Sequence, residues 1–182
     1  MEFPDPSEVL LIGGRSGVGK STVAFEASHL LAEAGVQHAV IEGDNLDMAF
    51  PEPWRKGLHL AELNLSAMWR NYRAAGYRHL IYTNTVSVLE SETLVGAMGG
   101  EVRSTAVLLS ASDVAARVRL AGREVGSALD QHVERSNRAA RELDVNAVKS
   151  VHRVATDGRS VTEIAYEVIA LTGWLTGAGT SS

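Results

Sequence analysis

Apolar runs of strand length alternate along this chain with segments whose apolar residues recur at helical spacing. That alternation predicts an α/β domain with a parallel sheet covered by helices on both faces. Five runs qualify as strands: residues 9–12, 38–42, 78–83, 102–109 and 152–155. Helices are expected between and after them, over residues 22–34, 57–75, 91–98, 112–121, 128–143 and 160–172. Gly35 and Gly76 stand where helices end, and Ser112 and Ser160 where helices begin, Ser160 forming a capping box with Glu163. The small polar tail, residues 176–182, is expected to be flexible.

Composition narrows the class without altering that pattern. With 182 residues and 45% hydrophobic content the chain can bury an ordinary core, so residues 1–175 are read as one domain. A net charge of -5 opposes a dedicated nucleic-acid binder. Cysteine is absent, which removes disulfides, thiolate metal sites and a cysteine nucleophile, and permits a reducing cytoplasm. The start Met1-Glu2-Phe3-Pro4-Asp5-Pro6 lacks a basic segment followed by an apolar one, and no apolar stretch reaches membrane-spanning length. A soluble, cytoplasmic monomer or homodimer with no membrane or nucleic-acid partner is expected.

The chemistry begins directly after the first strand. Gly14-Arg15-Ser16-Gly17-Val18-Gly19-Lys20-Ser21 fits G-x-x-x-x-G-K-[ST] at every fixed position, between a strand and a helix that begins near Thr22. Glycines let such a loop wrap a polyphosphate with its N–H groups pointing inward, and the helix N-terminus adds its positive dipole end. In that arrangement Lys20 reaches the outer phosphates and the Ser21 hydroxyl ligates magnesium. A Gly-rich strand-to-helix turn without ligand is the plain alternative.

The second cluster is Ile41-Glu42-Gly43-Asp44-Asn45-Leu46-Asp47, at the C-terminal end of the second strand, the edge that faces the ligand crevice in open α/β sheets. Asp44 is placed there to take a proton from an attacking hydroxyl or to help hold magnesium through water. Asp44 and Asn45 also favour turns and caps on their own account. The segment Tyr82-Thr83-Asn84-Thr85 lacks the acidic residue with which many nucleotide hydrolases hold magnesium, which leaves Asp44 as the acidic partner for the metal.

The phosphate loop together with Glu42-Gly43-Asp44-Asn45 resembles the loop and the Asp-Gly-Asp-Asn segment of adenylylsulfate kinases. Asn64, Tyr72-Arg73-Ala74-Ala75-Gly76 and Val86-Ser87 extend the likeness through the first half of the chain. The later stretch Arg117-Val118-Arg119-Leu120-Ala121-Gly122-Arg123, then His132 and Arg135-Ser136, departs from that family's substrate-binding sequence and looks more like the lid of shikimate, gluconate and adenylate kinases. The resemblance therefore implies the wider group of P-loop small-molecule kinases, which includes chloramphenicol phosphotransferase and proteins resembling tunicamycin-resistance proteins. It implies a three-layer α/β/α P-loop fold with a five-stranded parallel sheet and a helical lid over about residues 117–138. In the chloramphenicol enzyme an aspartate at the end of the second strand is the general base, and Asp44 is the matching position.

A lid of this kind gathers positive donors around a transferring phosphoryl group. Arg119 and Arg123 are four residues apart, so that Arg119 can pack over a nucleotide base while Arg123 reaches the phosphates. A solvated helix with ordinary arginines is the alternative. Arg135 is chosen from the following arginines as an acceptor contact. The resemblance implies an adenine-binding loop at Thr156, Asp157, Gly158 and Arg159, although Asp-Gly is also simply a good turn. On the acceptor side, Asn45, Trp54, Asn64 and Arg70 supply an aromatic wall and orienting polar groups, while Leu65, Met68, Trp69 and Tyr72 fall at core spacing. The expected reaction is transfer of the γ-phosphoryl of magnesium-ATP to a hydroxyl of a metabolite, natural product or antibiotic, with Lys20, Asp44 and Arg123 catalytic. A nucleoside or nucleotide kinase and a non-transferring ATP switch are the alternatives.

Overall fold

The computed structural model describes residues 5–121, 141–143, 145–146 and 150–176, without the side chains of Trp54 and Leu120. Five strands form a single sheet: β1 (Ser7–Gly13), β2 (His38–Glu42), β3 (His79–Thr83), β4 (Val102–Ser110) and β5 (His152–Ala155), in the order β2-β3-β1-β4-β5. Every pairing is parallel, with Leu10 opposite Ile81 and Ile12 opposite Val107. The helices are α1 (Lys20–Glu33), α2 (Leu60–Ala74), α3 (Ser91–Met98), α4 (Asp113–Ala121) and α5 (Val161–Ala170).

Strand alternation sorts the apolar side chains of β1 into two cores. Leu10 and Ile12 point to one face, where Val23, Ala27 and Leu31 of α1 and Ile164 and Val168 of α5 cover them. Val9 and Leu11 point to the other, against Leu65 and Trp69 of α2 and Leu94 and Met98 of α3. A central strand buried on both faces reads as the continuous apolar run seen in the sequence. The three-layer α/β/α arrangement is thus the expected one.

The expected ends hold closely for four of the five strands, and β1 is longer, starting at Ser7. Gly35 and Gly76 follow α1 and α2 with φ of 72° and 94°. Ser160 caps α5 with the full capping box, its hydroxyl accepting from the Glu163 N–H. Two expectations change. The helix foreseen from residue 57 starts at Leu60, because Pro53–Lys56 forms a separate 3-10 turn, after which the Leu58 N–H donates back to Pro53 O at 3.2 Å. Met68, expected in the core, is 37% exposed, whereas Leu65 and Trp69 are sealed. Leu65, Trp69 and Tyr72 form one stripe at i, i+4 and i+7, and Met68 lies beside it. The helix expected over residues 128–143, apart from 141–143, most of the expected lid, Arg123 and Arg135 within it, and residues 177–182 lie outside the described residues.

Candidate active site

Three loops meet at the C-terminal ends of β1, β2 and β3. The first, between β1 and α1, carries Gly14 at a φ of 144°, and a Cβ there would stand 2.7 Å from Leu109 O and 2.9 Å from Val18 Cγ1. Only glycine lets the loop lie this close to β4. The loop is held at one end by the Gly14 N–H donating to Thr85 O at 3.1 Å, and internally by the Val18 N–H donating to Arg15 O at 3.3 Å. Gly17 and Val18 are buried, Ser16, Gly19 and Ser21 half-buried, and Thr22 exposed. Lys20 opens α1 and donates Nζ to Gly14 O at 2.9 Å and to Arg15 O at 3.3 Å, so its ammonium lies across the mouth of the loop.

Asp44 sits on a short 3-10 turn, Gly43–Asn45, directly after β2. The turn passes so close to β3 that a Cβ on Gly43 would collide with the Tyr82 phenol and stand 2.9 Å from Thr83 O. Asp44 is exposed to solvent, yet enough protein surrounds its carboxyl to strip part of its hydration, and this raises its pKa above the ordinary 3.8. The Lys20 ammonium opposes the rise, Glu42 and Asp47 add to it, and a hydrogen bond from the Thr85 backbone lowers it again. Thr85 therefore joins the turn to the phosphate loop, bonding Asp44 on one side and Gly14 on the other. Tyr82, beneath the turn, has its phenol pushed up to about 12 by burial.

A cavity of about 310 Å³ opens beside the loop, between Gly17, Val18, Gly19, Thr22 and Val23 on one side and Arg119, Thr156, Arg159, Val161 and Ile164 on the other. That volume is in the range of small-molecule sites. Arg119 bridges the two sides, its guanidinium donating to Val18 O at 3.1 Å and to Thr156 Oγ1 at 3.0 Å. Thr156 is sealed from solvent and donates its hydroxyl to Ser110 O at 3.2 Å. Arg159 donates to Ala155 O at 3.1 Å and pairs with Glu167 at 2.6 Å. Asp157 and Gly158 are not among the lining residues; the Asp157 carboxylate accepts the Ser112 N–H at 2.8 Å, a bond that holds its pKa below 3.8.

The acceptor-side residues are less gathered. Asn45 donates to Glu42 at 3.5 Å, and the Asn64 amide donates to Leu46 O at 2.6 Å, which ties α2 to the end of the Asp44 turn. Arg70 is exposed on α2, and Trp54 lies on the Pro53–Lys56 turn. Arg15, expected on the phosphates, buries its guanidinium in an ion pair with Asp113 at the start of α4. Sequence reasoning missed Thr85 and Asp113, since a backbone donor and a pairing partner 98 residues away leave no local pattern.

The comparisons bear on the fold. The family model of adenylylsulphate kinase matches residues 6–56, a span that holds both the phosphate loop and Asp44. No curated protein matches the chain significantly in sequence. Among solved structures, the tunicamycin resistance protein of Deinococcus radiodurans is similar at a TM-score of 0.62 and 20% identity, over 92% of this chain and 96% of that one. A gluconokinase from Sinorhizobium meliloti 1021 is similar at 0.59 and 19%, over 97% and 96% of the two chains. The shikimate kinase of Acinetobacter baumannii, solved with shikimate, is similar at 0.57 and 12%, over 98% of each. The described residues of this chain thus have the α/β fold of P-loop small-molecule kinases.

Proposed function

We propose that the protein is an ATP-dependent kinase that transfers the γ-phosphoryl of magnesium-ATP to a hydroxyl of a small molecule, with Asp44 as general base. The observation that carries this reading is the placement of one carboxyl of raised pKa within reach of the Lys20 charge at the mouth of the phosphate loop. A carboxylate made more basic by partial desolvation is suited to accept a hydroxyl proton as that oxygen attacks phosphorus. The named kinases among the structurally similar proteins support the same reaction class.

Each remaining part has a role. The loop N–H groups and Lys20 hold the β- and γ-phosphates and offset the charge that spreads over the transferring group. The cavity between Val18 and Val161 takes the base, with Arg119 and Arg159 as its cationic walls. Magnesium fits the hard oxygen of the Ser21 hydroxyl, with the Asp44 carboxylate helping to hold it through a water. Among the described residues no group of three or more acidic or histidine side chains could hold a metal unaided. The ion would accordingly arrive on the nucleotide and keep several of its waters, as magnesium does. Asn45, Trp54, Asn64 and Arg70 border the acceptor side, and Arg123 and Arg135 complete the reading from the lid.

The test is magnesium-ATP consumption against hydroxylated acceptors, among them sugars, nucleosides, aminoglycosides, nucleoside antibiotics and adenylylsulfate, with mass spectrometry of the products. A product heavier by one phosphoryl group, dependent on Lys20 and Asp44, is the expected result. Turnover confined to nucleosides or their monophosphates would give the protein a base-selective acceptor pocket instead. Tight ATP binding with no product from any acceptor would oppose the transferase reading.

A further inference from the structure

The phosphate loop is bolted to α4 at two points, and neither bolt is part of the phosphate-binding pattern. Arg15, the first variable residue of the loop, is 3% exposed and pairs with the carboxylate of Asp113, the first residue of α4. Val18, three residues later, receives its bond from Arg119, six residues further along the same helix. Six residues of α-helix span about 9 Å, so the two contacts fix both the position and the rotation of α4 against the loop. The Ser112 N–H, just ahead of the helix, is tied to Asp157, and Arg119 reaches Thr156, which brings the β5–α5 connection into the same assembly.

Resting on the nucleotide reading above, we propose that Arg15 and Asp113 are a positioning pair. They set α4 so that Arg119 forms one wall of the base cavity, and thereby make base recognition depend on a side chain of the phosphate loop. Neither residue lines that cavity, so neither touches the base itself. The guanidinium is suited to the task because a buried cation held by a carboxylate has few alternative positions, and its planar fork fixes direction as well as distance.

The experiment compares the affinity of magnesium-ATP with that of magnesium-tripolyphosphate, which engages the loop but has no base, by calorimetry on the full chain. Asp113→Asn is expected to weaken ATP about tenfold, an ordinary size for coupling between two sites. It should leave tripolyphosphate unchanged, and Asp113→Glu should recover most of the ATP loss. An equal loss for both ligands would mean that the pair only supports the loop, and no loss for ATP would mean that it couples nothing; either overturns the proposal. Should Asp113→Asn fail to fold, Arg15→Gln combined with Asp113→Asn leaves no uncompensated charge and is held to the same ratio of affinities. A wild-type protein that binds tripolyphosphate as tightly as ATP would remove the base site, and the nucleotide reading with it.

Discussion

The ammonium of Lys20 acts on the carboxyl of Asp44 across the mouth of the phosphate loop, lowering a pKa that partial burial raises. Two groups from different strand ends thereby share one small volume. If the carboxylate accepts the acceptor's proton, Asp44→Asn should keep ATP binding and lose roughly two to four orders of magnitude in kcat, the usual scale for a general base. Calorimetry of ATP binding beside product formation checks both halves, and unchanged kcat would remove Asp44 from the chemistry.

The same raised pKa gives a pH dependence with a definite sign. The rate should fall on the acid side as Asp44 takes up a proton, with a midpoint above 3.8, and this limb should vanish in Asp44→Asn. For stability the direction is opposite. A carboxyl whose folded pKa is raised destabilises the fold when ionised, fully above the folded pKa and not at all below the unfolded value, where both states are protonated. Asp44→Asn should therefore melt above the wild type near neutral pH and level with it well below 3.8. Paired thermal scans across that range decide the matter.

Lys20 donates to the carbonyls of Gly14 and Arg15, bonds a polyphosphate would compete for. Lys20→Ala removes the positive charge at the outer phosphates while leaving the helix with a better former of helix. Turnover should drop by at least about 10²-fold, comparable to the loss of one preorganised donor in other enzymes. The circular dichroism spectrum should not change, and turnover retained at the wild-type level would refute the assignment of the loop.

Thr156 stands at the back of the proposed base cavity, accepting from Arg119 and donating to Ser110 O. Thr156→Val keeps the shape and deletes both bonds. Losing one of the bonds that hold the Arg119 guanidinium should cost about 1–1.5 kcal/mol, or roughly a fivefold to tenfold rise in KM for ATP. kcat should change little, since no reacting atom is touched; steady-state kinetics in ATP at saturating acceptor separates the two.

Elements governed by local rules were legible in the sequence. The five strands, the capping box at Ser160 and Glu163, and the loop from Gly14 to Ser21 depend on residues a few positions apart. What escaped was set by contacts across the chain. Met68 has core spacing, but the stripe through Leu65 and Trp69 already fills the space against the sheet. Arg15 is expected in the phosphate loop, and the pairing of its side chain with Asp113, brought beside it by the β4–α4 connection, is not foreseen. Asn64 is expected at the acceptor side, and the bond its amide gives to Leu46 O is not foreseen. Asp157 is expected to flank the base mainly through its backbone, and the separate task of its carboxylate, holding the start of α4, is not foreseen. For Arg15, Asn64 and Asp157 a polar side chain was recognised as functional in type while its partner lay beyond the reach of any local pattern.

Gly43 determines where Asp44 can stand. Its Cα faces the sealed Tyr82 ring and lies near Thr83 O, so that the turn packs directly onto β3 with no room for a methyl group. Gly43→Ala should therefore cost about 1–3 kcal/mol of stability, the ordinary scale of overpacking, read as a shifted urea midpoint. The turn would have to lift from the strand to make room, carrying the next residue, Asp44, away from Lys20 and the Thr85 N–H. The acid limb of the pH profile should then move, because the balance of desolvation and charge at Asp44 has changed. Tyr82→Phe removes the phenol oxygen from the collision, and Gly43→Ala should cost less in that background than in the wild type. Equal cost in both backgrounds would place the strain at the ring carbon and Thr83 O rather than at the phenol oxygen, and no cost in either would show that the turn does not depend on this contact.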